Sequence, residues 1–154
     1  MSPHAIIRPA FVVALALTLA PAAHAQLMGS RVEDTDPSVT YYGTWSVNVN
    51  LNHSGGTAHL STDPGATATV AFSGTGVHWI GYRDQWSGIA SIILDGDFLQ
   101  TVDTYASPAQ AQAVMFRTGA LGSGSHTLAI EATHSHRASA TEKWVWVDAF
   151  DVVP

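Results

Sequence analysis

From Gln26 onward the chain repeats one pattern: apolar and polar residues alternate with a period of two, in short runs cut apart by glycine- and aspartate-rich turns. In "ATATVAF", Ala66, Ala68, Val70 and Phe72 alternate with Thr67, Thr69 and Ala71. That spacing lines one face of an extended strand, whereas a helical face needs apolar residues three to four apart. The runs "VHWIGY", "IASIILDG", "DFLQTVDTY", "QAVMFRT", "HTLAIEAT" and "KWVWVDAFDVV" read the same way. Between them stand Asp63-Pro64-Gly65, Ser73-Gly74-Thr75-Gly76, Asp95-Gly96 and Gly122-Ser123-Gly124. Asp95-Gly96 is the clearest hairpin, because a tight primed turn requires positive φ, which Asp and above all Gly tolerate. The nearest approach to a helix, "SPAQAQAVMF", supports one turn at most. Many short strands between glycine turns predict an all-β chain, an antiparallel β-sandwich of the jelly-roll kind.

The first 25 residues carry a different message. His4 and Arg8 precede the apolar run "PAFVVALALTLAPAA", and Ala23-His24-Ala25 places small residues where a signal peptidase reads. Cleavage before Gln26 and a secreted, periplasmic or extracellular domain over 26–154 are the expectation. The apolar run is short for a bilayer span and no second one follows, so no membrane insertion is expected. Of the six Lys and Arg residues, Arg8 precedes the cut, so five basic groups face twelve acidic ones, a charge near −7. That sign argues against a nucleic-acid partner. With no cysteine, the domain must hold together by burial or with the help of an ion.

In order along the chain, "DTDPSVTYYGTW" (34–45), "GTAHLS" (56–61), "GATATVAFSGTGVHWIG" (65–81), "IASIILDG" (89–96), "LGSGSHTLAIEAT" (121–133) and "VDAFDV" (147–152) resemble the galactose-binding-like jelly-roll domains of the carbohydrate-binding-module type. The resemblance implies a β-sandwich that binds a sugar through its loops without catalysing a reaction, often with a structural calcium elsewhere. On that reading the partner is a glycan or polysaccharide and the chain is not an enzyme. The residues leave a second reading open, a structural or adhesive surface module that binds a protein partner or itself.

The segment "GYRDQWSG" (81–88) has the chemistry of a sugar-contacting loop. Tyr82 and Trp86 offer flat apolar faces for the C–H surface of a pyranose, while Arg83 and Asp84 offer charge-assisted bonds to its hydroxyls. The polar stretch "NVNLNHSGG" (48–56) offers Asn50, Asn52 and His53 as a second wall, and Tyr105 follows a strand-like run near enough to stack. Of the tryptophans, Trp79, Trp144 and Trp146 sit inside strand patterns, where core burial competes with an open platform. His134 and His136 flank Ser135 as a conceivable zinc or copper edge, although spacing shows no third ligand. Glu33, Asp34 and Asp36 near one end and Asp148 and Asp151 near the other are candidate oxygen ligands. Glu33, Asp34 and Asp148 would share a structural calcium if the terminal strands meet. No Gly-x-Ser-x-Gly elbow marks a nucleophile.

Overall fold

The computed structural model describes residues 29–154. The leader expected over residues 1–25 lies outside the described residues. Twelve strands and one 3-10 turn make up the order β1 (Ser30–Glu33), β2 (Val39–Tyr42), β3 (Ser46–Val49), the turn at Ser54–Gly56, β4 (Thr57–Ser61), β5 (Thr67–Gly74), β6 (Gly76–Arg83), β7 (Ile89–Leu94), β8 (Asp97–Asp103), β9 (Gln110–Arg117), β10 (Gly124–Ser135), β11 (Val145–Val147) and β12 (Ala149–Val153). They form three antiparallel sheets, β1-β12-β6-β9, β2-β5-β10-β7-β8 and β11-β4-β3. The fold is an antiparallel β-sandwich of jelly-roll type, as the alternation predicted.

Strand β5 shows how the pattern becomes a core. Ala68, Val70 and Phe72 point inward while Thr67, Thr69 and Ala71 lie on the other face, half-buried or exposed. Leu128, Ile130 and Ala132 of β10 and Ala90 and Ile92 of β7 continue the inner face. Against them pack Val77 and Trp79 of β6, Val145 and Val147 of β11, and Phe150 and Val152 of β12. Burying a side chain such as Leu128 or Phe150 stabilises the fold by about 1.5–3 kcal/mol, and with no cysteine present this burial takes the place of disulfides.

Two strands depart from simple alternation. The middle of β6, Trp79 to Gly81, is buried throughout, because β6 lies between β12 and β9 and Asp148 of the β11–β12 junction bonds to it, its N–H donating to the Ile80 carbonyl at 3.0 Å. Strand β8 is nearly all exposed despite its apolar residues, with Phe98 62% and Leu99 46% accessible, because it is the edge of its sheet. The stretch "SPAQAQAVMF" forms no helix; it enters β9 at Gln110.

Asp95 and Gly96 form the β7–β8 turn with φ of +52° and +89°. The Asp95 carboxylate locks the turn to β10, accepting the Thr127 N–H at 2.8 Å and pairing with the His126 ring at 2.7 Å. A Cβ at Gly96 would meet nothing within 4 Å, so its glycine is required for backbone reasons alone. Gly96→Ala should therefore cost about 1–2 kcal/mol, the left-handed penalty of an L-residue. Urea denaturation measures it, and an unchanged midpoint would show that the turn relaxes at no cost.

Candidate functional site

Three segments distant in sequence enclose one cleft of about 180 Å³. Asn48, Asn50, Asn52 and His53 form the first wall, Tyr82, Asp84 and Trp86 the second, and Trp144 with Trp146 the third. Period two explains the first wall: Asn48 faces the cleft from β3 and is half-buried, while Val47 and Val49 point the other way and stand 55% and 80% exposed. Beyond β3 the chain turns back on itself. The Asn50 N–H donates to the Gly56 carbonyl and the His53 N–H to the Asn50 carbonyl, both at 3.0 Å.

The second wall comes from the end of β6, where successive side chains face opposite ways. Tyr82 faces the cleft. Arg83 turns away, and its Nη2 donates to the Tyr105 carbonyl at 2.6 Å. Asp84 is 2% exposed and organises the turn that follows. Its Oδ1 accepts the Trp86 N–H at 3.0 Å and the Ser87 hydroxyl at 2.8 Å, and the Asp84 N–H donates to Ser87 Oγ at 3.0 Å. This Asx-type turn sets Trp86 on the rim, 41% exposed.

The third wall depends on a close backbone approach. Gly88 N–H donates to the Trp144 carbonyl at 2.8 Å and Trp144 N–H to the Trp86 carbonyl at 3.1 Å. A Cβ at Gly88 would lie 2.7 Å from the carbonyl carbon and oxygen of Lys143, so only glycine permits the contact. The result is a chain of aromatic rings. Trp86 and Trp144 have centroids 5.9 Å apart, Trp144 and Trp146 5.8 Å, Trp146 and Tyr82 5.4 Å, and His53 lies 5.7 Å from Trp146 and 5.9 Å from Tyr82.

Beneath the first loop sits a buried acid. The Ser54 N–H donates to Asp148 Oδ1 at 2.8 Å, while Asp148 Oδ2 stands 3.8 Å from His53 Nδ1 and neither of these two atoms has a hydrogen-bond partner among the described residues. Burial pushes the Asp148 carboxyl up to about 7, the Ser54 bond opposing this and the nearby charges of Asp34 and Glu33 adding to it. Burial pushes the His53 imidazole down. With His53 Nε2 donating to Asn48 Oδ1 at 3.0 Å, its Nδ1 is an acceptor. The proton of the pair therefore resides on Asp148 below neutrality.

The structure brings Tyr82, Asp84, Trp86, Asn52 and His53 together and leaves two expected residues out. Arg83 and Tyr105 meet each other outside the cleft, and the Arg137 guanidinium lies 5.0 Å from the Tyr105 ring centre. The residues that spacing alone did not assign to the site are Asn48, Trp144 and Trp146. The sharing of one strand face by Trp144 and Trp146 was the available signal, but it marks a core face equally well.

Glu33, Asp34 and Asp148 do approach one another where the terminal strands meet, and each carboxylate is bonded within the fold. Asp34 Oδ1 accepts the Thr57 hydroxyl and Oδ2 pairs with His59 Nδ1, each at 2.8 Å, and Glu33 Oε1 accepts the Ser54 hydroxyl at 3.0 Å. Among the described residues no three His, Cys, Asp or Glu side chains are grouped to hold a metal ion. Asp151 is taken by Arg31, whose Nε donates at 2.7 Å. His134 and His136 are spent separately: His134 Nδ1 donates to the Thr62 carbonyl at 2.7 Å and its Nε2 accepts from Lys143 at 3.0 Å, while His136 Nδ1 donates to the Arg137 carbonyl at 2.8 Å. A larger, shallower concavity of about 400 Å³ lies beside Phe72, Asp95 and His126, but both nitrogens of His126 are already bonded there.

No protein-family model matches the chain. Over 99 residues, 64% of this chain, it is 34% identical to the A type blood N-acetyl-alpha-D-galactosamine deacetylase of Flavonifractor plautii, covering 13% of that protein. Over 101 residues, 66% of this chain, it is 34% identical to the A type blood alpha-D-galactosamine galactosaminidase of the same organism, covering 9%. The chain thus spans about a tenth of the length of the curated relatives it matches. Among solved structures it shares the fold of the exo-beta-1,3-galactanase of Phanerochaete chrysosporium, solved with beta-1,3-galactotriose, at a TM-score of 0.56 and 18% identity over 80% of this chain and 29% of that one. The expectation that the chain is not an enzyme is overturned by the first two comparisons, since both relatives are named as enzymes. At a coarser level the comparisons relate the chain to glycan-active proteins that share its sandwich.

Two outcomes follow from this geometry. Gly88→Ala should lower stability by about 1–3 kcal/mol through overpacking against the Lys143 backbone, and thermal unfolding with tryptophan fluorescence should show both the loss and a changed Trp144 environment. Because the Asp148 pKa is raised on folding, the native state holds a proton that the unfolded chain releases. Its stabilising contribution is full below about pH 4 and is lost as pH rises through about 7. Asp148→Asn keeps the acceptor for Ser54 and should flatten the fall in melting temperature between pH 5 and 8; an identical pH profile in both proteins would sink the assignment.

Proposed function

We propose that the chain binds a glycan by enclosing one terminal sugar residue in the cleft between Asn48–His53, Tyr82–Trp86 and Trp144–Trp146. The observation that carries this reading is the combination of aromatic walls with amide and carboxylate groups around a space for one ring. A cleft of about 180 Å³ falls below the ~300–1,000 Å³ typical of drug-sized ligand sites, which favours a chain end over an extended polysaccharide. Trp86 or Trp144 stacks on the C–H face, and the Asn side chains with Asp84 orient hydroxyls. The names of both relatives refer to galactosamine sugars of A type blood, and the galactanase was solved with a galactose trisaccharide, which supports a sugar as the partner. On this reading the domain is the glycan-recognising part of a carbohydrate-active protein, working outside the cytoplasm after loss of a leader that ends at Ala25.

The second reading, a surface module that docks on protein, has one observation behind it. Val47, Val49 and Leu51 are exposed along the edge strand β3 and its continuation, at 55%, 80% and 97%.

A glycan array followed by calorimetry on the best ligand separates the two. Trp86→Ala should weaken glycan binding at least about tenfold, as loss of a stacking anchor does, while shifting stability by under about 0.5 kcal/mol, as expected for an exposed position. Tyr105→Leu, outside the cleft, should bind as the parent does. A blank array from folded protein, together with oligomers that form without glycan, would turn the assignment to the protein-docking edge.

A further inference from the structure

The cleft holds a carboxylate with no charge partner. Asp84 Oδ1 is occupied by Trp86 and Ser87, whereas Oδ2 has no hydrogen-bond donor among the described residues and keeps some contact with solvent, although the residue lines the cleft wall and is only 2% exposed as a whole. A carboxylate withdrawn in this way is costly unless a cation or strong donors compensate it. The cations nearest in sequence are directed elsewhere: Arg83 to the Tyr105 carbonyl at 2.6 Å and Lys143 to His134 Nε2 at 3.0 Å. His53, the one lining side chain able to become cationic, has its imidazole pushed down by burial, against the opposing charge of Asp34.

Around that carboxylate the aromatic rings stand as walls rather than as one stack. Trp86 and Trp144 are inclined at 40°, Trp144 and Trp146 at 65°, and Trp146 and Tyr82 at 66°. All four of these aromatic side chains line the cleft, and an aromatic face exposed there would attract a cation. Neutral hydroxyls use the amides of this cleft equally well and can donate to the carboxylate, but they leave its charge unneutralised.

We propose that the cleft selects a sugar bearing a free ammonium group, a hexosamine, over the same sugar with a hydroxyl or an acetamido group at that position, Asp84 Oδ2 and the Trp86–Trp144–Trp146 walls receiving the ammonium. The proposal rests on the glycan-binding reading of the same cleft and adds the chemical class of its ligand. Acetylation removes the charge and adds bulk to a small space, and a hydroxyl cannot form the ion pair.

The test is a ladder of methyl glycosides titrated by calorimetry into the whole chain: glucosamine and galactosamine, their N-acetylated forms, and glucose and galactose. One hexosamine should bind at least about tenfold tighter than both its N-acetylated and neutral counterparts, the range spanned by cation–π and charge-assisted contacts together. Raising the salt concentration should narrow that ratio. Asp84→Asn, which retains an oxygen for Trp86 and Ser87, should collapse the ratio toward one whatever its effect on absolute affinity. If neutral or acetylated sugars bind as well as the hexosamines, the ammonium proposal is overturned while glycan binding stands. If the preference persists in Asp84→Asn, Asp84 is not its source and the proposal is likewise overturned. Should Asp84→Asn fail to fold, the parent ladder and its salt dependence decide alone. If no sugar of the ladder or of the array binds, both readings fall together.

Discussion

Three residues, Val145 to Val147, hold the molecule's two requirements together. They are buried in succession, with Val145 and Val147 in the core between the sheets and Trp146 in the cleft. The strand pairs with β4 of the small sheet, and the Asp148 N–H just beyond it donates to the Ile80 carbonyl of β6. Trp79, the largest fully buried side chain, donates its Nε1–H to the Trp146 carbonyl at 3.1 Å. Core and cleft therefore share one backbone segment.

Charge in this protein is handled by containment. Asp34, Asp84 and Asp148 are all buried, and each is assigned a different task. Asp34 ties Thr57 and His59 beneath the small sheet, Asp148 anchors the Asn50–Gly56 loop through Ser54, and Asp84 builds the turn that presents Trp86. Buried carboxylates of this kind are costly unless bonded, so each fixes a loop in a single position. The cleft is therefore lined by side chains held in fixed positions, the kind of preorganisation that would lower the entropy lost by any ligand bound there.

Much of the fold was legible in the sequence because alternation is a local property. Ala68, Val70 and Phe72 announce a half-buried strand whatever lies opposite, and Asp95-Gly96 announces its hairpin through backbone sterics alone. Strand β8 shows the limit: "DFLQTVD" has strand composition, yet its place at a sheet edge leaves it exposed, and edge position depends on pairing partners that local pattern does not encode. For the site, residue chemistry was legible and neighbourhood was not. Tyr82, Asp84, Trp86, Asn52 and His53 were selected for their functional groups, and Arg83 with the same justification faces the other way because strand geometry alternates.

The amino-acid sequence on its own determined the all-β class, the hairpin turns and the types of side chain available for a sugar, since these follow from period two, positive φ and functional-group chemistry. Tertiary structure alone decided that Trp144 and Trp146 belong beside Trp86 and that Glu33, Asp34 and Asp148 come together and bond neighbouring segments. The physical reason is distance along the chain. Trp86 meets Trp144 only because Gly88, without a Cβ, lets two backbones touch, and such an approach is written in the packing of the sheets rather than in any local run of residues.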